Sequence, residues 1–172
     1  MPIRPIVKYG DPVLARVSEP VAAITPDIRQ LVDDMVQTMY AAPGVGLAAV
    51  QVGVPLRVAV IDISVGKDPA ELMVLINPEI LSLGGVQSSE EGCLSVPGFM
   101  EILDRAALVE IKALDLEGRE YSRRGEGLLA RAFQHEVDHM DGRLFVSRLG
   151  VLKRRLLLRK VEKKAKSGDW TT

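Results

Sequence analysis

The chain has 172 residues, with 22 Lys and Arg against 23 Asp and Glu, one Cys and two His. That length suits one domain with a real core, and 47% hydrophobic with 26% charged residues excludes wholesale disorder. One Cys excludes an internal disulfide, two His exclude any site built from three, and a net charge of −1 gives no overall pull toward nucleic acid or anionic membrane.

The first ten residues lack the apolar stretch of a signal peptide and the Arg/Ser-rich, acid-poor character of a transit peptide. No apolar run approaches the roughly 18 residues of a membrane span. The expected location is the cytoplasm, or an organelle if a presequence has been cleaved upstream. Thr25-Pro26-Asp27 opens a helix: Thr caps it, Pro suits its first position and Asp favours its positive end. Ile28, Leu31, Val32, Met35 and Met39 recur at helical spacing, and the helix ends before Pro43-Gly44.

From there to about residue 125 the texture is β. Arg57–Ile63 is a β-rich run, Leu72–Ile76 is a shorter one closed by Asn77-Pro78, and Ala107, Val109, Ile111 and Ala113 share one face. Glu117-Gly118 turns the chain into Arg119–Arg123. The connections are too short for crossover helices, so the strands pair mostly antiparallel. Helix returns over Glu126–Met140 and closes at Asp141-Gly142. A last helix spans about 149–166, with Leu149, Leu152, Leu156, Leu157 and Val161 as its apolar stripe. Residues 1–147 carry 13 Lys and Arg against 21 Asp and Glu, whereas residues 148–172 carry 9 against 2. The basic charge is therefore concentrated in this tail.

The strongest chemical signal is His135-Glu136-Val137-Asp138-His139. Residues four apart share a helix face, so both imidazoles can bind one ion, with Glu136 placed to take a proton from water. A catalytic site wants a third protein ligand. Cys93 is one candidate, in Glu90-Glu91-Gly92-Cys93-Leu94-Ser95-Val96-Pro97, and Glu90 or Glu91 is another. Gly44-Val45-Gly46-Leu47-Ala48-Ala49-Val50-Gln51 reads as a tight loop entering a strand. It has neither the Lys-Ser/Thr of a phosphate loop nor a dinucleotide fingerprint.

These three segments, in this order, resemble the signature motifs of the peptide deformylase family, and the N-terminal Pro-Ile-Val-Lys-Tyr-Gly-Asp-Pro-Val-Leu is similar to that family too. The resemblance implies an α+β fold, with antiparallel sheets around a central helix carrying the His pair and the C-terminal helix packed outside. Residues 1–172 would then form one domain. The resemblance also implies hydrolysis of the N-formyl group of formyl-methionyl nascent polypeptides. The ligands would be Cys93, His135 and His139, the ion Fe2+ in the cell and often Zn2+ or Ni2+ after purification. Glu136 would be general base and then general acid, and the Gln51 amide and the Leu94 N–H would bind the oxyanion. Val45 and Gly46 would clamp the substrate main chain. Val45, Leu128, the Arg131 stem and the His135 ring would line the methionine pocket, with the Arg131 head in water. Glu91 would pair with Arg105, and Asp138 would orient a ligand histidine. The basic helix would dock on ribosomal RNA. The rival readings are a zinc peptidase built on the same helix, a Cys93 nucleophile, and an inactive ribosome-binding module.

Overall fold

The computed structural model describes residues 2–170. Helix α1 (Pro26–Ala41) starts where the sequence places it: Thr25 Oγ1 accepts the Ile28 N–H at 3.3 Å, and Pro26 occupies the first turn. Its buried face of Ile28, Leu31, Val32, Met35 and Met39 is the predicted stripe.

Seven strands follow. A five-stranded antiparallel sheet has the order β1 (Gly46–Ala48), β2 (Val58–Ile61), β3 (Met73–Gly84), β6 (Leu108–Leu114), β7 (Glu120–Glu126). A separate two-stranded sheet pairs β4 (Gln87–Cys93) with β5 (Val96–Arg105) across the Leu94-Ser95 turn. On β6 the inward face is Val109, Ile111 and Ala113, as their alternation predicts. The β6–β7 turn is drawn in by Asp115, whose Oδ1 accepts the N–H groups of Glu117 and Arg119 at 2.9 Å.

Helix α2 (Gly127–Met140) carries both histidines and packs against β7, β1 and β6. Phe133 is fully buried between helix and sheet, with Leu129, Ile111 and Leu75 in the same cluster. A second cluster joins α1 to the other face of β1 and β2 through Leu31, Met35, Leu47, Val58 and Val60. The sheet is thus apolar on both faces near β1 and β2, and all four residues of β2 are buried. Helix α3 (Val151–Ser167) packs outside on Phe145, Val146 and Val96.

Two expectations are corrected. Strand β3 does not close at Asn77-Pro78. Asn77 turns at φ +50° inside a bulge between Ile76 and Glu79, and its amide takes over local pairing by bonding Val21 N and O at 2.8 and 2.9 Å. Pro78 sits in the irregular stretch, where a missing N–H costs no ladder bond. The apolar stripe of α3 is narrower than predicted. Leu157 and Val161 are buried, Leu149 precedes the helix, and Leu152 and Leu156 are 69% and 52% exposed. Three consecutive leucines at 156–158 leave the periodicity ambiguous, and packing on Phe145 selects the face that holds Leu157.

Candidate metal centre

The helical spacing of His135 and His139 brings their Nε2 atoms to 3.1 Å, with the rings edge to face. The β4–β5 hairpin delivers Cys93 to the same point, its Sγ 3.3 Å from Nε2 of His139. One ligand atom from each of the three residues lies within 4.8 Å of the others. Facing imidazole nitrogens at this distance need a shared proton or a shared cation. Zinc–nitrogen bonds of about 2.0–2.1 Å and a zinc–sulfur bond of about 2.3 Å give tetrahedron edges of roughly 3.3 to 3.6 Å, close to the 3.1 Å between the two Nε2 atoms and the 3.3 Å from Cys93 Sγ to His139 Nε2, so this donor set suits one ion. Glu90 and Glu91 are not part of the group.

Glu91 instead supports a ligand. Its Oε2 accepts from His135 Nδ1 at 2.8 Å and from Arg105 Nη2 at 2.6 Å, and its Oε1 accepts from Arg105 Nε at 3.0 Å and Arg131 Nη1 at 2.7 Å. Burial pushes the Glu91 carboxyl up, but bonds from His135 and Arg105 outweigh it and hold the group well below the usual carboxylate range. The bond to His135 Nδ1 fixes the ring and leaves Nε2 for an ion. The expected Glu91–Arg105 pair is therefore present, and it is buried rather than on the surface.

Asp138 is placed differently from expectation. It binds Arg105 Nη1 at 2.7 Å and Arg148 Nη2 and Nε at 2.6 and 2.9 Å, and its bonds go to these arginines rather than to a ligand histidine. A position three after His135 turns the carboxylate toward the hairpin, where two guanidinium groups converge. Arg131 is corrected as well. Its head does not reach water: it is 4% exposed, clamps Glu91 and donates Nη2 to the Leu103 carbonyl at 2.9 Å. A buried carboxylate presented by the facing β4 strand, Glu91, competes better for the guanidinium than solvent does. Arg148, which pairs with Asp138, and Ser95, which receives the Gln51 amide, escaped the sequence reading. Neither has a distinguishing local signal.

Gln51 is 1% exposed on the 3-10 turn after β1. Its Oε1 accepts the Ala48 N–H at 3.0 Å, which fixes the amide's orientation because a backbone N–H can only donate. The NH2 group consequently faces the site, 3.1 Å from Ser95 Oγ and 3.6 Å from Cys93 Sγ. Glu136 is 2% exposed, and burial raises its carboxyl to about 7. A bound cation would draw that value down again. Burial also keeps His139 well below its ordinary value, so it is neutral and available as a ligand.

Gln51, Cys93, His135 and Glu136 floor a cavity of about 700 Å³, whose walls include Val45, Gly46, Leu94, Leu128 and Arg131. Among the described residues no helix is long and apolar enough to cross a membrane.

Residues 3–155 match the polypeptide deformylase family model. The chain belongs to the polypeptide deformylase family. The peptide deformylase of Acidobacterium capsulatum is 51% identical over 170 residues, covering 99% of this chain and 100% of that one. The crystal structure of the Legionella pneumophila peptide deformylase matches with a TM-score of 0.91 at 46% identity, covering 99% and 100%. That of Synechococcus elongatus, in complex with actinonin, matches at 0.87 and 40% identity, covering 98% and 89%. The α+β architecture of the deformylase family is thus shared across essentially the whole chain. The family model itself ends early in α3.

Proposed function

We propose that this chain hydrolyses the N-formyl group of formyl-methionyl nascent polypeptides in the cytoplasm. It would do so as one domain over residues 1–172, with one divalent ion, Fe2+ in the cell, at Cys93, His135 and His139. The observation that carries this reading is the convergence of the chain's only Cys and only two His on one point, with Cys93, His135 and the buried Glu136 lining one cavity and His139 behind them. An ion held there supplies Lewis-acid chemistry, acidifying water and polarising a carbonyl oxygen.

The chain's own residues do the rest. Glu136 takes a proton from the attacking water as its oxygen bonds to the formyl carbon, then returns that proton to the departing amine as the C–N bond breaks. Formate and a free α-amine leave. Gln51 Nε2 and the Leu94 N–H receive the developing oxyanion. Val45 and Gly46 pair with the substrate main chain, which accepts many sequences. Val45, Leu128 and the aliphatic stem of Arg131 bound an apolar pocket for the methionine side chain.

The discriminating experiment incubates the metal-loaded enzyme with formyl-Met-Ala-Ser and measures formate and free amino acids. Formate release that falls by roughly 10²–10⁴-fold or more in Glu136→Ala is the expected result. Release of an amino acid would make the chain a peptidase. Activity resistant to chelators together with a Cys93 adduct would make it a thiol hydrolase.

The outer face of α3 supports a second partner, the ribosome. Lys153, Arg155, Arg159, Lys160, Lys163 and Lys166 are exposed beside Leu152 and Leu156. Such a face fits RNA phosphates. Reversing Lys153, Lys160 and Lys163 to Glu abolishes salt-sensitive ribosome cosedimentation under this reading and leaves hydrolysis of a free peptide unchanged. Undiminished cosedimentation of the reversed variant contradicts it.

A further inference from the structure

Gly46 opens β1, paired with Ile61 on β2 and followed by the fully buried Leu47. Its backbone lies outside the left-handed region, so an L side chain is conformationally allowed there. What forbids one is Glu136. A methyl group on the Gly46 Cα would stand 2.9 Å from Oε1 of Glu136, 3.2 Å from Cδ and 3.4 Å from Cγ. The Glu136 side chain is nearly sealed, and its other oxygen, Oε2, has no hydrogen-bond partner. On this side the carboxylate is seated by shape, against a bare Cα.

We propose that Gly46 is a positioning residue for the deformylation reaction, its missing side chain being the socket that holds the Glu136 carboxylate. This rests on the reading of Glu136 as the proton carrier. The obstructed atoms are the far end of a flexible side chain, whereas β1 is held by its register with β2 and by the buried Leu47. A methyl at position 46 is therefore relieved by the carboxylate swinging away and leaves the sheet where it is. The fold gives up little, and proton transfer gives up its geometry. This role is distinct from main-chain pairing with substrate, because it acts on the chemical step.

Four metal-loaded enzymes test it: wild type, Gly46→Ala, Glu136→Asp and the double variant, assayed for formate release from formyl-Met-Ala-Ser. In Gly46→Ala, kcat falls on the order of 10²-fold, as for a catalytic group displaced by about 1 Å. KM, metal content and Tm stay at wild-type values. Glu136→Asp draws the carboxylate back by about one bond, roughly 1.5 Å, so that its carbon takes the place of Cγ, 3.4 Å from the methyl, and the two closest contacts are relieved. In that background the methyl costs no more than about twofold, the scatter of independent substitutions.

An equal loss in both backgrounds, or a loss confined to KM, means that the methyl blocks substrate and overturns the proposal. A crystal structure of Gly46→Ala with the Glu136 carboxylate unmoved overturns it even if the aspartate enzymes are too slow to assay. A Glu136→Asp enzyme with wild-type kcat instead overturns the reading of Glu136 as proton carrier, and the proposal with it.

Discussion

Four donors meet at Glu91, filling the roughly four acceptor sites of a single carboxylate with Arg105, Arg131 and His135. Folding favours the ionised form, since the group sits below its ordinary value of 4.5. The stability it adds is complete above about pH 4.5 and drains away as pH falls below that. Glu91→Gln therefore unfolds with a weaker pH dependence than wild type in this acid range, measured by thermal melts at stepped pH. An unchanged dependence contradicts the assignment. Arg131→Met leaves Glu91 with one fewer cation and weakens Zn2+ binding by roughly 10–100-fold in a chelator competition. Gln51→Ala lowers kcat by roughly 10²–10³-fold with little change in KM if its Nε2 binds the oxyanion. At this scale the sequence is most informative where chemistry restricts the residue type. The pairing of His135 and His139 is legible because few side chains suit a metal ion, whereas Cys93 stands beside Glu90 and Glu91 until the motif resemblance singles it out. Arg131 and Asp138 are not legible, because a charged residue on a helix can face water or a buried partner, and only the packed neighbours decide.

The β4–β5 hairpin is the element on which the site turns. It carries Cys93 and Glu91 yet forms no ladder with the five-stranded sheet. Side chains attach it to α2: Arg105 to Asp138, Glu91 to Arg131 and His135, and the Leu103 carbonyl to Arg131. Arg105→Met leaves two buried carboxylates short of a partner and destabilises the fold by ~3–5 kcal/mol in urea unfolding. On the opposite side, β7 presses on α2 at Gly125, where a methyl would stand 2.8 Å from Phe133 Cε2 and 2.9 Å from Leu129 Cγ. Gly125→Ala overpacks that contact and costs ~1–3 kcal/mol. Element types were legible wherever local chemistry agrees with packing, as in α1, capped by Thr25, and the turn at Gly118. What was not legible is the extent of β3, where the Asn77 side chain stands in for a ladder, and the buried face of α3, where Leu156, Leu157 and Leu158 offer two choices and the partner cluster selects one.

Across the whole molecule the near-neutral charge conceals two unlike parts. Residues 1–147 are acidic and hold the site, and α3 is a basic helix fastened outside by Leu157 and Val161. The counts of one Cys and two His look like poverty in the composition, and in the fold all three meet at one point. The most direct test of that convergence is anaerobic purification of wild type and Cys93→Ala, with metal analysis and formate release measured on the same samples. The structure predicts one divalent ion per wild-type chain, with both the ion and formate release lost in Cys93→Ala. A Cys93→Ala enzyme that keeps its ion and releases formate at the wild-type rate would contradict it.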